Sequence, residues 1–268
     1  MAAPTRQMNA RQRRMLISTL LMLLAAMFAL FRGAGLTLSP APPEALFHTG
    51  ELRVGIDPSY PPFAAAPGGT LEGIEIDLAR ALGVELGIPV RFVTLGYDGL
   101  YDALRVDSVD VLISALLIDP ARRNDATYTR PYFDNGLMLV SPTGTPFGDM
   151  TRIPGHALAY EFGSAADAEA RRWLRRVHPF EPRPYELARF ALDAVRVGEA
   201  NAALVDAVTA RLYQQAHPDW DTQRFYVTSS GYAMAVRADR GRVWRALNDA
   251  LERLAHDGRL DAIIDQWL

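Results

Sequence analysis

From residue 52 onward, short apolar runs alternate along the chain with amphipathic segments. Residues 52–56, 90–93 and 110–114 form runs with the length and apolar content of buried β-strands. Residues 76–86 and 98–106 repeat apolar side chains three and four positions apart, the spacing of an amphipathic helix. Strands that alternate with helices in this way are typical of a parallel sheet covered by helices on both faces.

The same alternation restarts after residue 140 and predicts further strands and helices. The predicted strands are residues 156–162, 202–205, 225–229 and 232–236. The predicted helices are residues 165–177, 187–197, 207–216 and 242–256. The first of these helices begins with acidic residues and ends with arginines, which is the order that the helix dipole favours.

The first 36 residues differ from the rest and predict a targeting segment, either a signal peptide or a signal anchor. Arg6, Arg11, Arg13 and Arg14 precede an uncharged apolar run at residues 15–31. This run is long for the core of a cleaved signal peptide and short for a bilayer-spanning helix. The lack of an Ala-x-Ala-like cleavage site favours a retained membrane anchor, with a linker at residues 37–49.

Composition excludes several classes of function. The chain of 268 residues contains no cysteine, which excludes disulfides, thiolate metal sites and a cysteine nucleophile. Its net charge is −3 and its first acidic residue is Glu44, so the chain beyond the N-terminal segment is acidic. Nucleic-acid binding needs basic patches, so no nucleic-acid partner is expected. The five histidines lack metal-ligand spacing, and we expect no metal or other cofactor.

The loops after the predicted strands carry the candidate functional residues. Loop 57–63 follows the first strand, loop 114–123 follows the third, and residues 97–100 open the second helix. All three are rich in polar or aromatic side chains. Because ligands bind at the carboxyl ends of parallel strands, the sequence predicts a small-molecule site at this edge of the sheet.

Four stretches of the chain resemble a known protein family. They are LRVGIDPSYPPF (52–63), LEGIEIDLARAL (71–82), DVLISALLIDPARR (110–123) and LNDALERLAHDGRLDAIIDQWL (247–268). In this order and spacing, the chain resembles the periplasmic solute-binding proteins of family 3, the polar amino-acid-binding proteins of ABC transporters. The resemblance extends over residues 52–268.

The resemblance implies an α/β fold of the two-lobed, type II periplasmic-binding-protein kind. Two parallel-type sheets would be joined by two hinge crossovers, near residues 137–140 and 229–231. Lobe 1 is expected at residues 50–136 plus 232–268, and lobe 2 with the hinge strands at residues 137–231.

The family's function implies that the protein captures a small zwitterionic ligand, an amino acid or a derivative, between its lobes. It would then deliver this ligand to an ABC permease. We therefore expect an extracytoplasmic protein, in the periplasm or on the outer face of the cytoplasmic membrane. It is expected to be a monomer, held at the membrane by residues 15–31.

Position by position, the resemblance implies ligand contacts in lobe 1. Asp57 would accept a hydrogen bond from an ammonium group, and Tyr60 and Tyr97 would form aromatic walls. Ser114 would line the floor, and Arg122 would pair with a carboxylate through its planar guanidinium. Asp57 before a proline also suits a turn, and Arg122 beside a second arginine also suits a surface position.

In lobe 2 the resemblance implies contacts at the starts of two helices. Ser164 would help to hold the ligand carboxylate, and Asp206 would bind the α-ammonium group. Both residues also suit helix caps, and both roles can hold together. Glu161 lies on a predicted strand from which it faces either the ligand or solvent. An arginine and two acids in one cleft are complementary to a zwitterion.

Three site positions depart from the family pattern. Leu117 replaces the usual serine or threonine, and Ala115 and Ala165 replace residues that are often glycine, serine or threonine. Because the main-chain N–H of Leu117 remains, the carboxylate contact would be weakened rather than lost. A more apolar pocket predicts a ligand with a larger apolar part, or a cationic one. Glu75 is expected to be structural.

We expect no enzymatic activity, but two other functions stay open. The same fold resembles cyclohexadienyl dehydratases, whose elimination chemistry would need a general acid in the cleft, and Glu161 is the candidate. Membrane-anchored copies of the fold also serve as sensor ectodomains. This chain ends at Leu268 without an output domain, so a sensor would act through a separate partner.

Overall fold

The computed structural model describes Met22, residues 46–47 and residues 49–268. Residues 43–268 form one unit and residues 1–42 another, of which Met22 alone is described. The predicted membrane segment at residues 15–31 therefore lies outside the described residues, apart from Met22. Within the part of the chain that is described, no helix is both long enough and apolar enough to cross a bilayer.

Strands and helices alternate through the described region. The strands are β1 (Leu52–Ile56), β2 (Ser59–Tyr60), β3 (Ala64–Ala65), β4 (Val90–Thr94), β5 (Val111–Leu112), β6 (Ala126–Asp134), β7 (Leu137–Pro142), β8 (Ala157–Glu161), β9 (Glu181–Tyr185), β10 (Ala202–Asp206), β11 (Thr222–Tyr226) and β12 (Gly231–Arg237). The α-helices are α1 (Ile74–Leu86), α2 (Leu100–Arg105), α3 (Ala165–Leu174), α4 (Ala188–Arg196), α5 (Ala207–Ala216), α6 (Gly241–His256) and α7 (Arg259–Trp267).

The first sheet has the strand order β4-β1-β5-β12-β6. β1 is parallel to β4 and β5, whereas β12 is antiparallel to β5 and β6. All five residues of β1 are buried, as expected for a central strand of such a sheet. Gly55 in β1 allows a close approach, because a Cβ atom there would lie 2.7 Å from the Cδ2 atom of Leu112.

The second sheet has the order β11-β7-β10-β8-β9. β8 is parallel to β9 and β10, and β7 is antiparallel to β10 and β11. β10 is buried along Ala202–Val205, and α3, α4 and α5 pack on this sheet. β2 and β3 form a separate two-stranded hairpin after β1.

The chain passes between the two sheets twice. The first passage is at residues 135–136, between β6 and β7, and the second is at residues 227–230, between β11 and β12. The two passages touch, because the main-chain N–H of Asn135 donates to the carbonyl of Ser230 at 2.9 Å. Gly136 is needed here, since a Cβ atom would lie 2.0 Å from the carbonyl oxygen of Thr228.

The structure confirms the predicted α/β class with two sheets and adds antiparallel strands to each. β6 and β9, which the apolar pattern did not predict, contain prolines and lie at sheet edges, where a missing ladder hydrogen bond is tolerated. The predicted strand 225–229 lies earlier, at Thr222–Tyr226. The predicted helix 98–106 begins as a 3-10 turn, Tyr97–Gly99, and α7 was not predicted.

Candidate ligand-binding site

A cavity of about 360 Å³ lies beside the carboxyl ends of β1 and β5. These strands are parallel neighbours, so the residues that follow them meet at one edge of the first sheet. The cavity is lined by Asp57, Ser59, Tyr60, Tyr97, Ser114, Ala115, Leu117 and Tyr232. Six of these residues are among those that the sequence predicted, and Ser59 and Tyr232 are not.

Asp57 and Ser114 are joined by a hydrogen bond at the edge of the sheet. The main-chain N–H of Asp57 donates to Ser114 Oγ at 3.1 Å. The Asp57 Oδ1 atom accepts from the N–H of Ser59 at 3.1 Å, which stabilises the turn after β1. Asp57 therefore has the turn role that its sequence context suggested, and it also lines the cavity.

Aromatic rings form much of the cavity wall. Tyr60 stacks on Phe63, with ring centroids 5.4 Å apart, and Phe63 is fully buried. Tyr97 is 53% exposed and begins the 3-10 turn before α2. Tyr232 is 8% exposed, and its ring packs edge-to-face against the ring of Phe63. The buried Phe63 therefore holds two of the three rings.

A buried carboxylate, Glu75, lies behind the cavity wall. Glu75 Oε1 accepts hydrogen bonds from the main-chain N–H of Ala115 and from the hydroxyl of Tyr132. The pKa of Glu75 is raised from 4.5 to about 7, chiefly by burial, while these hydrogen bonds lower it and the charge of Asp57 raises it. Ala115 has a φ of +46°, so Glu75 helps to hold a strained residue at the cavity.

Arg122 lies in a neighbouring cavity of about 640 Å³ that shares Tyr97 and Leu117 with the first. Its guanidinium carbon is 3.9 Å from the centre of the Tyr101 ring, a cation–π contact. Its Nε atom is 3.5 Å from Asp119 Oδ2. Arg122 is therefore close to the smaller cavity but does not line it.

The candidates in the second sheet gather at the carboxyl ends of β8 and β10, which are parallel neighbours. Ser164 Oγ accepts from the first turn of α3, which begins at Ala165, and Asp206 Oδ1 accepts from Thr209 N–H at 2.9 Å in α5. Glu161 Oε2 accepts from the N–H of Ala188 at the start of α4, at 3.1 Å.

These four residues, Glu161, Ser164, Ala165 and Asp206, are absent from the lining of both cavities described above. The structure thus divides the eleven predicted site residues into a cavity group on the first sheet, Arg122 beside it, and a capping group on the second sheet. Among the described residues, no cluster of three or more histidine or acidic side chains is arranged to hold a metal ion.

Tyr232 and the role of Glu75 were not predicted from the sequence. Tyr232 comes from β12, whose antiparallel pairing beside β5 brings it to the cavity from a distant part of the chain. Glu75 lies in the first turn of α1, where an acidic residue is explained by the helix dipole alone. No local sequence signal distinguishes either residue.

The chain is similar over most of its length to known amino-acid-binding proteins. The ABC transporter arginine-binding protein 1 of Escherichia coli K12 is 24% identical, covering 81% of this chain and 90% of its own length. The L-cystine-binding protein TcyJ of the same strain is 24% identical, with coverage of 87% and 90%. The unliganded, open L-cystine solute receptor of Neisseria gonorrhoeae has a TM-score of 0.73 at 21% identity, covering 85% of this chain and 97% of the receptor.

The model of the bacterial extracellular solute-binding proteins, family 3, matches residues 52–268, which contain both sheets and both cavities. The likeness to the cystine receptor supports the same two-lobed, type II fold. The chain therefore belongs to the bacterial extracellular solute-binding proteins, family 3, and is an extracytoplasmic solute-binding protein.

Proposed function

We propose that this protein binds an amino acid in the 360 Å³ cavity and delivers it to an ABC importer. One observation carries the proposal: the carboxylate of Asp57 shares a cavity with the exposed rings of Tyr60 and Tyr97. A volume of this size lies within the roughly 300–1,000 Å³ usual for small-molecule sites. The arginine- and cystine-binding relatives support the ligand class and the importer.

Asp57 is the group that selects an ammonium. A carboxylate that accepts one hydrogen bond from Ser59 has further acceptor positions for a charged donor. The neighbouring tyrosine rings attract cations through their faces, which adds to the preference. A positively charged amino group is therefore the part of an amino acid that suits this corner of the cavity.

Arg122 is the group that we assign to the ligand carboxylate. Its present partners are an aromatic face and Asp119, and the two charged side chains are 43% and 44% exposed. An ion pair this exposed contributes only about 0–1 kcal/mol, so a carboxylate in the adjoining cavity can replace it. Arg122 would then move from Tyr101 towards the wall formed by Leu117.

We propose that the second sheet completes the site when the two lobes, residues 50–136 plus 232–268 and residues 137–231, close over the ligand. Asp206 would then share the α-ammonium group with Asp57, since an ammonium has three N–H donors. The N-terminus of α3, which begins at Ala165, would meet the carboxylate through the helix dipole and main-chain N–H groups, while Ser164 Oγ keeps its capping role. Closure about the two touching passages is supported by the small number of residues that connect the sheets.

A cationic side chain on the ligand suits the adjoining cavity. Leu117 and Tyr97 form the shared wall and provide apolar contact for a hydrocarbon chain. Beyond them the larger cavity is lined by Asp98, Asp102 and Asp119, of which Asp102 pairs with Arg105 at 2.8 Å and Asp119 with Arg122 at 3.5 Å. L-Arginine, with an apolar stem and a terminal cation, is therefore the first ligand to test.

The protein is proposed to bind its ligand without turning it over. The dehydratase alternative required Glu161 as a general acid in the cleft. Its carboxylate instead accepts a hydrogen bond from the N–H of Ala188 and stabilises the start of α4. We propose in addition that residues 15–31 hold the protein, as a monomer, on the outer side of the membrane.

Thermal unfolding of the full-length protein with and without ligand tests the proposal. L-Arginine, L-cystine and L-histidine are added singly in large excess. At a hundredfold excess over Kd, a ligand that binds only the folded state stabilises it by about 2.7 kcal/mol, which raises the Tm by several degrees. A rise with one amino acid, lost in Asp57→Asn, is expected.

Asp249→Asn is the matched control, because Asp249 is exposed on α6 and outside the cavity. It should keep the full ligand-induced rise in Tm. If no amino acid raises the Tm of the native protein, the proposed ligand class is wrong. Prephenate is added in a parallel assay, and its conversion to product would contradict the proposed absence of turnover.

A further inference from the structure

The hydroxyl of Tyr232 is held in a fixed position at the cavity wall. The ring is 8% exposed on β12 and lines the cavity. It packs edge-on against Phe63, with centroids 5.3 Å apart, and lies beside Phe133 at 6.1 Å. Because both neighbours belong to the buried core, the ring cannot turn without disturbing that packing.

The side-chain amide of Asn135 has an orientation that its hydrogen bonds determine. Asn135 Oδ1 accepts from the main-chain N–H of Val208 at 3.1 Å. A main-chain N–H can only donate, so the amide oxygen must face Val208. The Nδ2 atom then faces Tyr232, and it donates to the tyrosine hydroxyl at 2.9 Å.

The hydrogen bond from Asn135 determines in which direction the Tyr232 hydroxyl can donate. Its oxygen accepts from Asn135, so its own hydrogen must point elsewhere. The hydroxyl of Tyr60 lies 3.5 Å away, at the outer limit of a hydrogen bond. Burial, followed by the contact with Tyr60, raises the pKa of Tyr232 above its ordinary value, so the hydroxyl keeps its hydrogen at neutral pH.

The same hydrogen bonds connect the two sheets. Val208 lies in the first turn of α5, which packs on the second sheet, whereas Tyr232 belongs to the first sheet. Asn135 lies in the first passage between the sheets, and its main-chain N–H donates to Ser230 in the second passage. Two hydrogen bonds in series, which we call the donor chain, therefore connect α5 on the second sheet through Asn135 to the hydroxyl of Tyr232 on the first sheet.

We propose that Asn135 is a positioning residue that makes the Tyr232 hydroxyl a hydrogen-bond donor to an oxygen atom of the bound solute. The group recognised is an acceptor, a carboxylate oxygen of the amino acid. This inference rests on the proposed function, because it requires an amino acid in the 360 Å³ cavity.

Two substitutions test the direction of the donor chain in the full-length protein. Tyr232→Phe removes the donor and keeps the ring. Asn135→Asp keeps an oxygen for the N–H of Val208 but replaces the donating NH2, so Tyr232 must donate to the new carboxylate instead. Each variant should weaken binding of L-arginine by about 3- to 10-fold, the effect of one hydrogen bond. L-Cystine or L-histidine is the probe if it binds the native protein instead.

The double variant separates positioning from a merely structural role. If Asn135 acts through Tyr232, combining the substitutions should weaken binding no more than Tyr232→Phe alone. A loss of affinity in the double variant equal to the product of the two single losses would overturn the inference. Tyr226→Phe is the matched control, because its hydroxyl donates to the carbonyl of Asp134 at 2.9 Å, beside Asn135 but outside the cavity. Its affinity should stay within about twofold of the native value.

The outcomes distinguish this inference from the proposed function. If the native protein binds none of the three amino acids in calorimetry, both are overturned. If it binds one and Tyr232→Phe binds equally well, the inference alone is overturned. Thermal unfolding checks that each variant folds. If one of the two single variants does not fold, unchanged binding by the other still overturns the inference.

Discussion

At the level of single residues, several side chains at the candidate site already have a structural role. Asp57 stabilises a turn and lines the cavity, and Asp206 caps a helix at the edge where the second sheet would meet a ligand. Such residues are already ordered by their local hydrogen bonds, so a ligand does not have to order them. The alternatives of cap and ligand contact that the sequence suggested are therefore compatible.

Glu75 makes folding stability depend on pH, and we predict the sign. Its pKa is about 7 in the folded protein against 4.5 when unfolded, so the folded state retains the proton longer. The stabilisation from the neutral carboxyl is fully present below pH 4.5 and is lost as the pH rises towards 7, in total about 3 kcal/mol. Glu75→Gln should remove this loss and leave the protein more stable than the native chain at pH 8.

Chemical denaturation followed by circular dichroism at pH 5, 6, 7 and 8 measures the effect. The glutamine oxygen can still accept from the N–H of Ala115, so the local structure should persist. Glu72→Gln is the control, because this exposed acid lies three positions away and should leave the pH dependence unchanged. Equal pH dependence in Glu75→Gln and the native protein would contradict the prediction.

At the level of elements, the two passages between the sheets lie in close backbone contact. The carbonyl of Gly136 accepts from Ala207 N–H at 3.1 Å, at the start of α5, while Gly136 itself lies against Thr228 of the second passage. Any side chain at position 136 would therefore push apart the two passages, which are hydrogen-bonded to each other. The apolar pattern gave no sign of this, because it records burial and not close backbone contacts.

Gly136→Ala is predicted to destabilise the fold by about 1–3 kcal/mol, the usual effect of overpacking a buried site. The physical reason is the 2.0 Å separation between a Cβ atom and the carbonyl oxygen of Thr228. Thermal unfolding measures the loss as a lower Tm. Gly148→Ala is the matched control, since nothing lies within 4 Å of a Cβ atom there, and its Tm should be unchanged. Equal Tm values for both variants would show that the passages can separate freely.

At the level of the whole molecule, the candidate site is divided between two sheets. The acid and the rings that form the cavity follow strands of the first sheet, whereas Ser164 and Asp206 follow strands of the second. A ligand that touches both groups must draw the sheets together. Under the proposed function, binding and closure are one equilibrium, and the free energy of ligand contact with the second sheet would stabilise the closed form.

Ligand is predicted to shorten the distance between probes on the two sheets. Because the chain has no cysteine, Val84→Cys and Val197→Cys provide two exclusive labelling sites. Val84 is 78% exposed on α1, and Val197 is 63% exposed at the end of α4. Energy transfer between dyes at these positions should increase when L-arginine, or whichever amino acid raises the Tm, is added.

The matched control pairs Val84→Cys with Val106→Cys, which is 69% exposed at the end of α2 on the first sheet. Energy transfer in this pair should not respond to ligand. An equal response in both pairs would point to an effect on the dyes. No response in either pair, at ligand concentrations that raise the Tm, would mean that binding does not require closure.

Sequence by itself determined the features that depend on local periodicity and on ordered motifs. The strands and helices around β1, α1, β10 and α5 were predicted within a few residues, because burial on both faces of a central strand and on one face of a helix repeats along the chain. The motif order predicted the family, which the match over residues 52–268 confirms.

Tertiary structure alone decided the features that depend on contacts between distant segments. Edge strands β6 and β9 contain prolines and lack a regular apolar alternation, so their pairing has no periodic signal. Tyr232 reaches the cavity through antiparallel pairing, and Glu75 becomes a buried, proton-retaining group only when the first sheet covers α1. Periodicity records whether a side chain is buried, whereas the partner that it meets there is a property of the fold.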